Sequence, residues 1–512
     1  MFKPKTCCAA GPEKRFFQRA IATLLILFCA NSFTFAQHGQ LPLKKEHKPQ
    51  SPGSKIISNF KYPSIDWRVP KVGRDILRLV LPNGMIVYLK EDHTLPVVSV
   101  QSIIRTGEVY ETRNKHGVAR LTGAVMRTGG TAKYSPDEFN KELEYMDAVL
   151  TSSIDLESGD VDLELLAKYL PKGLELLAEL LRNPAFDEKK LSLAKSQIKE
   201  EIRRRNDEPD QILKREFNKK IYSEHPYGWE YEWPIVSSIN RQDLIEWHKK
   251  FVHPNNIILG VSGDFKKAEL LVELNKLFGD WPKGDIAYNK LPPVSNSGKP
   301  GVFIIPKEQN QTYIQIGHLG VNRNNSDRYA IEVMNWILGG GSFSSRITEK
   351  VRNDEGLAYS VGSRYQLGNR DLGTFFAYCQ TKVSTTHKAT DLILKEIEKI
   401  RSQNVLDQEL KAAKDSIINR FLFEFTSAEK IVGRLMMLEY NEMPKDFYEK
   451  YREQIQKISK DDILVAAKKH LRPNDFTFVF VGNPKEFDNS PDSFGKVEII
   501  PLADAVKTPG KL

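Results

Sequence analysis

Apolar and polar positions alternate in short stretches along the whole chain, and these stretches predict both strands and helices. The run Val97–Ile104 predicts a buried strand, and Asn83-Gly84 between two apolar runs is a strong hairpin signal. Residues 163–181 carry the apolar spacing of an amphipathic helix, whereas 313–316 alternate as a strand does. This mixture predicts an α+β fold in which helices pack on one face of a sheet.

The two halves of the chain repeat each other. Residues 186–198 resemble 406–417, and 243–255 resemble 462–474, at a spacing of about 220 residues. In both members of the second pair, a helix pattern ends at Pro-Asn and an apolar strand pattern follows. A period of this length is too long for a solenoid. It predicts two homologous domains, each a mainly antiparallel sheet with helices on one face.

Composition indicates where these predicted units begin and end. Residues 287–300 are rich in Pro, Ser, Asn and Gly, which is typical of a linker, and 37–72 lack periodicity, which predicts a flexible lead-in. The predicted organisation is a signal segment at 1–36, the lead-in at 37–72, an N-terminal domain at 73–286, the linker at 287–300, a C-terminal domain at 301–500 and a tail at 501–512.

The N-terminus has the pattern of a secretory signal. Basic residues precede an apolar run over 20–30 that is too short to span a membrane, and small residues at 34 and 36 predict cleavage before Gln37. We therefore expect an exported, periplasmic protein with no stable membrane span once the signal is removed. The alternatives are an uncleaved signal that anchors the protein to the envelope and a lipid anchor at Cys29.

Cysteine usage and charge narrow the class of protein. Cys7, Cys8 and Cys29 leave with the predicted signal, so Cys379 alone remains and no internal disulfide can form. The formal charge of +9 falls to about +5 in the predicted mature chain, with 70 basic residues against 65 acidic ones. Because the two signs are well mixed, the charge does not favour a nucleic-acid partner.

Residues 117–124 follow the pattern of a metallopeptidase helix from which the metal ligands are missing. Gly117-Val118-Ala119 and the Leu81-Pro82-Asn83-Gly84 turn resemble the insulinase/pitrilysin family of inverted-zincin metallopeptidases, which includes the mitochondrial processing peptidase subunits. The resemblance extends over about residues 76–481. It implies that Arg120 stands at the first His of His-x-x-Glu-His, Gly123 at the Glu and Ala124 at the second His. Glu201 would stand at the family's third zinc ligand.

These replacements remove the family's zinc chemistry. A guanidinium, a hydrogen and a methyl group cannot coordinate a metal or accept a proton at neutral pH, and Glu201 alone should not hold zinc. His248 and His253 do not lie on one helix face and are interpreted as a helix end. We therefore expect this chain to bind no metal cofactor, and we hypothesise that Arg120 occupies the vacant pocket as a structural cation paired with Glu201.

The second half carries the most specific motif of the chain. Leu338-Gly339-Gly340-Gly341-Ser342 leads into Arg352 and, seven residues later, Tyr359. In active family members, an Arg and a Tyr at this spacing reach across to the zinc site, bind the substrate carbonyl and stabilise the tetrahedral intermediate. The resemblance implies this role for Arg352 and Tyr359, and substrate contacts at Gly341 and Ser342. The alternative is that Arg352 is a surface helix residue and Tyr359 a core strand residue.

A lost zinc triad beside a retained Arg/Tyr pair resembles the zinc-less subunit of bacterial heterodimeric members. It implies that this subunit is inactive alone and that its partner carries His-x-x-Glu-His and zinc. The substrates would be unfolded peptides, which add as a strand to a sheet edge near Val149–Ile154. The alternative from another class is a stand-alone peptide-binding or scaffolding protein. An independently active peptidase would need a metal site that the sequence does not contain.

Overall fold

The structure describes most of the chain beyond its N-terminal region. The computed structural model describes residues 68–294 and 300–502, and before them only position 53. The described residues from Arg68 onward belong to one compact unit. The predicted signal segment at 1–36 lies outside the described residues. The same is true of the lead-in up to residue 67, apart from position 53, of residues 295–299 in the linker, and of the tail from residue 503.

The first half forms a six-stranded sheet. The Asn83-Gly84 turn joins its first two strands into the predicted antiparallel hairpin, and the predicted strand Val97–Ile104 is present over the same residues. The strands in chain order are β1 Leu77–Val80, β2 Ile86–Glu91, β3 Val97–Ile104, β4 Val149–Ile154, β5 Gly159–Leu166 and β6 Ile257–Gly263. They lie in the order β1-β2-β6-β3-β5-β4, with β2 and β6 parallel and the other neighbours antiparallel.

The second half builds the same sheet again. Its strands are β7 Gly301–Pro306, β8 Gln311–Leu319, β9 Ala358–Gln366, β10 Thr374–Lys382, β11 Thr477–Gly482 and β12 Val497–Ile499. They lie in the order β12-β7-β11-β8-β10-β9, so β7, β11, β8, β10 and β9 repeat the places of β2, β6, β3, β5 and β4. The prediction of two homologous α+β domains with mainly antiparallel sheets is confirmed.

Helices follow the strands in both halves. Those of the first half are α1 Val118–Thr128, α2 Pro136–Tyr145, α3 Leu170–Arg182, α4 Glu188–Arg204, α5 Pro209–Tyr222, α6 Trp233–Ser238, α7 Arg241–Phe251 and α8 Lys267–Phe278. Those of the second half are α9 Arg328–Asn335, α10 Arg346–Thr348, α11 Thr386–Ser402, α12 Asp407–Leu422, α13 Ala428–Tyr440, α14 Phe447–Lys457 and α15 Lys460–His470. Two π-helical turns, Trp336–Gly340 and Glu349–Asp354, continue α9 and α10.

Each sheet is covered on its other face by a helix from the opposite half. Helix α5 places Ile212 and Phe217 in one apolar cluster with Val479 of β11. Helix α13 packs on β6 of the first sheet, and its Glu439 accepts two hydrogen bonds of 2.9 Å from the guanidinium of Arg78 in β1. This reciprocal exchange joins the two halves through buried apolar contacts and a bidentate ion pair.

One helix prediction was wrong at its start. Residues 163–166 belong to β5, and the helix begins only at Leu170. Val161, Leu163 and Leu165 are buried at every second position, so the strand period holds here and the helix period takes over after a short turn. In the part of the chain that the structure describes, no helix has the length and apolar character needed to cross a membrane.

Candidate functional site

A buried carboxylate anchors the start of the helix that carries the zinc positions. Helix α1 begins after Gly117, and the Glu111 side chain accepts hydrogen bonds from the backbone N–H groups of Gly117 at 3.0 Å and Ala119 at 2.6 Å. His116 Nδ1 lies 2.6 Å from the same carboxylate, and both side chains are buried. A carboxylate at a helix N-terminus is stabilised by the unpaired N–H groups and the helix dipole.

Arg120 forms the hypothesised pair with Glu201. Its Nη2 donates a hydrogen bond of 2.8 Å to Glu201 Oε1 on α4, and its guanidinium lies 5.1 Å from the centre of the Tyr231 ring. The hypothesised ion pair between Arg120 and Glu201 is therefore present, whereas its place at a zinc position stays an expectation from the family resemblance. The pair is partly exposed, with side-chain exposures of 35% and 53%, so its contribution to stability is small.

Gly123 leaves no space for a catalytic carboxylate. A Cβ built at Gly123 would lie 2.3 Å from the backbone N of Ile154 and 2.6 Å from the carbonyl carbon of Ser153, because β4 crosses the helix at this point. A zinc ion does not fit the residues present, since Arg120, Gly123 and Ala124 offer no ligand. Within residues 68–294 and 300–502, no group of three or more His, Cys, Asp or Glu side chains could hold a metal.

Glu108 provides a second carboxylate beside the zinc positions, and the sequence did not predict it. Glu108 accepts a hydrogen bond from the Tyr231 hydroxyl, and burial, followed by the nearby Glu111 carboxylate, raises the pKa of Glu108 to about 7. The His116 ring stacks on Tyr231 with centroids 4.7 Å apart. No motif spacing could have revealed this cluster, because Tyr231 comes from a distant part of the chain. The nearest signal is the polar run between β3 and α1.

The edge strand expected to receive substrate is obstructed. Val149–Ile154 does form the outer strand of the first sheet. However, Arg127 Nε donates a hydrogen bond of 2.7 Å to the carbonyl of Leu150, and Gly123 of α1 touches the backbone at its other end. Since strand addition needs free backbone groups along the edge, these contacts oppose it at β4.

Local irregularities of the backbone present Arg352 and Tyr359 together. Arg352 lies in the π-helical turn Glu349–Asp354, and such turns occur often at functional sites. In β9, Ser360 pairs with Gln380 and Ala358 with Thr381, so Tyr359 is the extra residue of a β-bulge. The bulge leaves Tyr359 83% exposed, and its ring lies 4.4 Å from the Arg352 guanidinium.

The glycine-rich segment lies beside this pair. The Arg352 guanidinium also lies 4.4 Å from the exposed ring of Phe343, so it is held between two aromatic rings. Ser342 is exposed and adopts a positive φ of 56°, which is uncommon for a residue with a side chain. Gly341 packs against Trp336. Arg352, Tyr359 and Ser342 line one open cleft of about 830 Å³.

The structure rejects one alternative for the Arg/Tyr pair. Tyr359 is not a core strand residue, because most of its surface faces solvent. The side chains form a stacked pair of hydrogen-bond donors at the surface, with the guanidinium planar and permanently charged. This arrangement can bind a carbonyl or carboxylate oxygen brought to it from outside.

Comparisons with known proteins agree with this architecture. The profile of the insulinase family, peptidase family M16, matches residues 86–234, and the profile named peptidase M16 inactive domain matches 238–417. The non-peptidase homolog YmxG of Helicobacter pylori is 28% identical over 408 residues, which cover 78% of this chain and 92% of that one. The uncharacterized zinc protease YmxG of Bacillus subtilis is 24% identical over 70% of this chain and 87% of its own.

A solved structure shares the fold. The peptidase M16 inactive domain from Pseudomonas fluorescens superposes with a TM-score of 0.72 at 23% identity, covering 80% of this chain and 98% of that one. The two family profiles match in succession, one over 86–234 and the other over 238–417. The chain therefore belongs to the M16, or insulinase, family of peptidases.

Proposed function

We propose that this chain is the non-catalytic subunit of an exported heterodimeric zinc metallopeptidase, and that it supplies Arg352 and Tyr359 to the active site of its partner. The partner is a homologous subunit that carries His-x-x-Glu-His and the zinc ion. Peptides that enter unfolded are the substrates. The observation that carries the proposal is the contrast between a zinc position filled by protein atoms and an Arg/Tyr pair presented to solvent.

The filled zinc position supports the absence of catalysis by this chain alone. Arg120 and Glu201 satisfy each other, and β4 occupies the space that a side chain at position 123 would need. An ion pair and a close helix-to-strand contact therefore stand where the family resemblance expects zinc ligands and the catalytic Glu, which supports a non-catalytic role.

The presentation of Arg352 and Tyr359 supports a contribution to another subunit. A buried pair could act only within this chain, whereas this pair faces outward from a bulge and a π-helical turn. Both groups donate hydrogen bonds, and the guanidinium adds a permanent positive charge. Aimed at a peptide carbonyl, they would stabilise the oxyanion that forms when the carbonyl is attacked, and donors placed for that purpose are worth most in the transition state.

Export is part of the proposal and rests on the sequence of the first 36 residues. Its test is N-terminal sequencing of the protein recovered from the periplasmic fraction. A mature N-terminus at Gln37 is the expected result. A protein recovered intact from the membrane fraction would favour the uncleaved anchor instead.

The functional test is peptide hydrolysis by the purified mature chain, by the nearest paralogue with a His-x-x-Glu-His motif, and by their mixture, all with zinc. We expect activity only in the mixture, together with a heterodimer in size-exclusion chromatography with light scattering. A mixture that forms no complex and hydrolyses nothing would favour a stand-alone peptide-binding or scaffolding protein. Activity of this chain alone would contradict the proposal outright.

A further inference from the structure

The cleft beside the Arg/Tyr pair has an uncompensated positive charge. It is formed by α9, the two π-helical turns, β9 and α12, and has a volume of about 830 Å³. Within the described residues, none of the arginines that line the cleft forms an ion pair. Arg346, which lies close by, does form a bidentate pair with Glu409. The arginines that line the cleft are Arg323, Arg328, Arg352, Arg364 and Arg420.

The one carboxylate in the lining does not balance them. Glu332 accepts a hydrogen bond from the Tyr451 hydroxyl. Burial raises the pKa of Glu332, whereas Tyr451, Arg420 and Arg328 lower it, and a single carboxylate cannot offset five guanidinium groups. Arginine side chains stay protonated at any pH at which the protein is folded. Several guanidinium groups gathered without counter-charges repel each other, so the arrangement is unfavourable unless an anionic ligand completes it.

An unsatisfied donor points to the same conclusion. The Nε atom of Arg323 is buried without a hydrogen-bond partner in the described residues. Burial lowers the pKa of Arg323, and the positive charge of the neighbouring Arg328 adds to this lowering. A buried donor without an acceptor destabilises the folded protein, because it has lost its hydrogen bonds to water. Carboxylates are the natural acceptors, because their two oxygens match the guanidinium fork.

The shape of the cleft favours an extended ligand over a small ion. A second cavity of about 560 Å³ shares Ser360, Arg364, Gln366 and Tyr378 with the first, so the two meet along β9. Together they follow an edge strand of the second sheet. A nucleic acid would need a longer basic path across the surface, and the balanced charge of the chain does not provide one.

We propose that this cleft binds an acidic peptide segment, whose carboxylates pair with the arginines that line it. The choice of a peptide rests on the function proposed above, whereas the anionic character rests on the lining residues alone. The site gives the heterodimer a preference for substrates with Asp or Glu near the bond that is cleaved. It also gives this chain a binding activity of its own that needs neither partner nor zinc.

The test is fluorescence anisotropy with the mature chain alone. The probes are a fluorescein-labelled peptide of alternating Glu and Ala, the same peptide with Gln in place of Glu, and an oligothymidylate of similar length. The variants are Arg364→Gln and Arg420→Gln, which are exposed and lie outside the proposed catalytic pair. Arg452→Gln is the matched control, an exposed arginine on α14 that does not line the cleft.

We expect the Glu peptide to bind at least tenfold more tightly than the Gln peptide, and its affinity to fall as the salt concentration is raised. Either cleft variant should bind the Glu peptide about tenfold more weakly than the unmodified chain does, whereas the control variant should bind it equally well. Equal binding of both peptides, or unchanged affinity in both cleft variants, would overturn the inference. Tighter binding of the oligothymidylate would assign the cleft to nucleic acid instead. Because no partner is present, failure of the heterodimer would leave this result unaffected.

Discussion

Gly123 and Gly339 make the same kind of contact in the two halves of the chain, because each presses against the backbone of an edge strand. A Cβ at Gly123 would lie 2.3 Å from the N atom of Ile154 in β4, and one at Gly339 would lie 2.4 Å from the N atom of Ser363 in β9. Both glycines lie on the helical segment between the equivalent strands β3 and β4 or β8 and β9. Both halves therefore have a helical segment so close to an edge strand that the contacting position has no room for a side chain.

This contact makes position 123 intolerant of any side chain. We expect Gly123→Ala to lower the free energy of unfolding by about 3 kcal/mol, because β4 or α1 must shift to relieve the overlap. The measurement is urea denaturation followed by circular dichroism. Gly433→Ala is the matched control, since a Cβ on that helical glycine would meet only the flexible end of Gln101 at 3.2 Å. A loss as small as that of the control would contradict the close contact.

The zinc ligands, unlike the catalytic Glu, should be recoverable. Arg120 faces Glu201 at 2.8 Å, and position 124 lies one turn further along the same face of α1. We expect Arg120→His with Ala124→His to bind one zinc ion per chain, measured by equilibrium dialysis and elemental analysis, but to hydrolyse no peptide. Adding Glu201→Gln should abolish the binding. A double variant that takes up no more zinc than the unmodified chain would show that the ligand geometry has been lost.

The ion pair between Arg120 and Glu201 should contribute little to stability. Both side chains are partly exposed, so we expect a coupling of about 0.5 kcal/mol in a double-mutant cycle of Arg120→Ala and Glu201→Ala. Arg120→Ala alone should lower the unfolding free energy by about 1 kcal/mol, because it also loses the contact with the Tyr231 ring. Unchanged stability in the single variant would remove the structural role assigned to Arg120.

Glu108 should make stability depend on pH. The pKa of Glu108 is raised from 4.5 to about 7, so the folded protein holds a proton that the unfolded chain releases. Stability is then fully present below about pH 4.5 and is lost as the pH rises towards 7, by at most about 3 kcal/mol. We expect Glu108→Gln to remove this loss, so that the variant gains on the unmodified protein between pH 5 and pH 8 by about this amount. The exposed Glu246→Gln should follow the unmodified protein, and parallel curves for all three would exclude the effect.

The features that could be predicted from sequence are those that depend on residues close together in the chain. The strand Val97–Ile104 and the hairpin at Asn83-Gly84 follow from local pattern, and both halves follow from their repeat. The boundary at residues 163–170 was misjudged, because apolar residues of a strand and of the next helix continue one another without a break. The pair Arg120 and Glu201 could be predicted only through the resemblance to a family.

The rest depends on contacts between residues far apart in the chain. Glu108 meets Tyr231, and the cleft gathers arginines from positions 323 to 420, and neither arrangement leaves a period or a motif in the sequence. The lack of space for a side chain at position 123 is of the same kind. The sequence shows only that position 123 has no side chain. The reason is that β4 lies too close to this position for a Cβ, and this can be seen only in the structure.

The measurement that tests the central claim most directly is the kcat/KM of the reconstituted heterodimer with Arg352→Ala in this chain. We expect a loss of about 100-fold, as for removal of one oxyanion donor, carried mainly by kcat and with assembly unchanged in light scattering. Tyr359→Phe should also lower kcat, while Arg452→Ala and the exposed Tyr145→Phe should leave it unchanged. An intact heterodimer that keeps its full rate with Arg352→Ala would contradict the account.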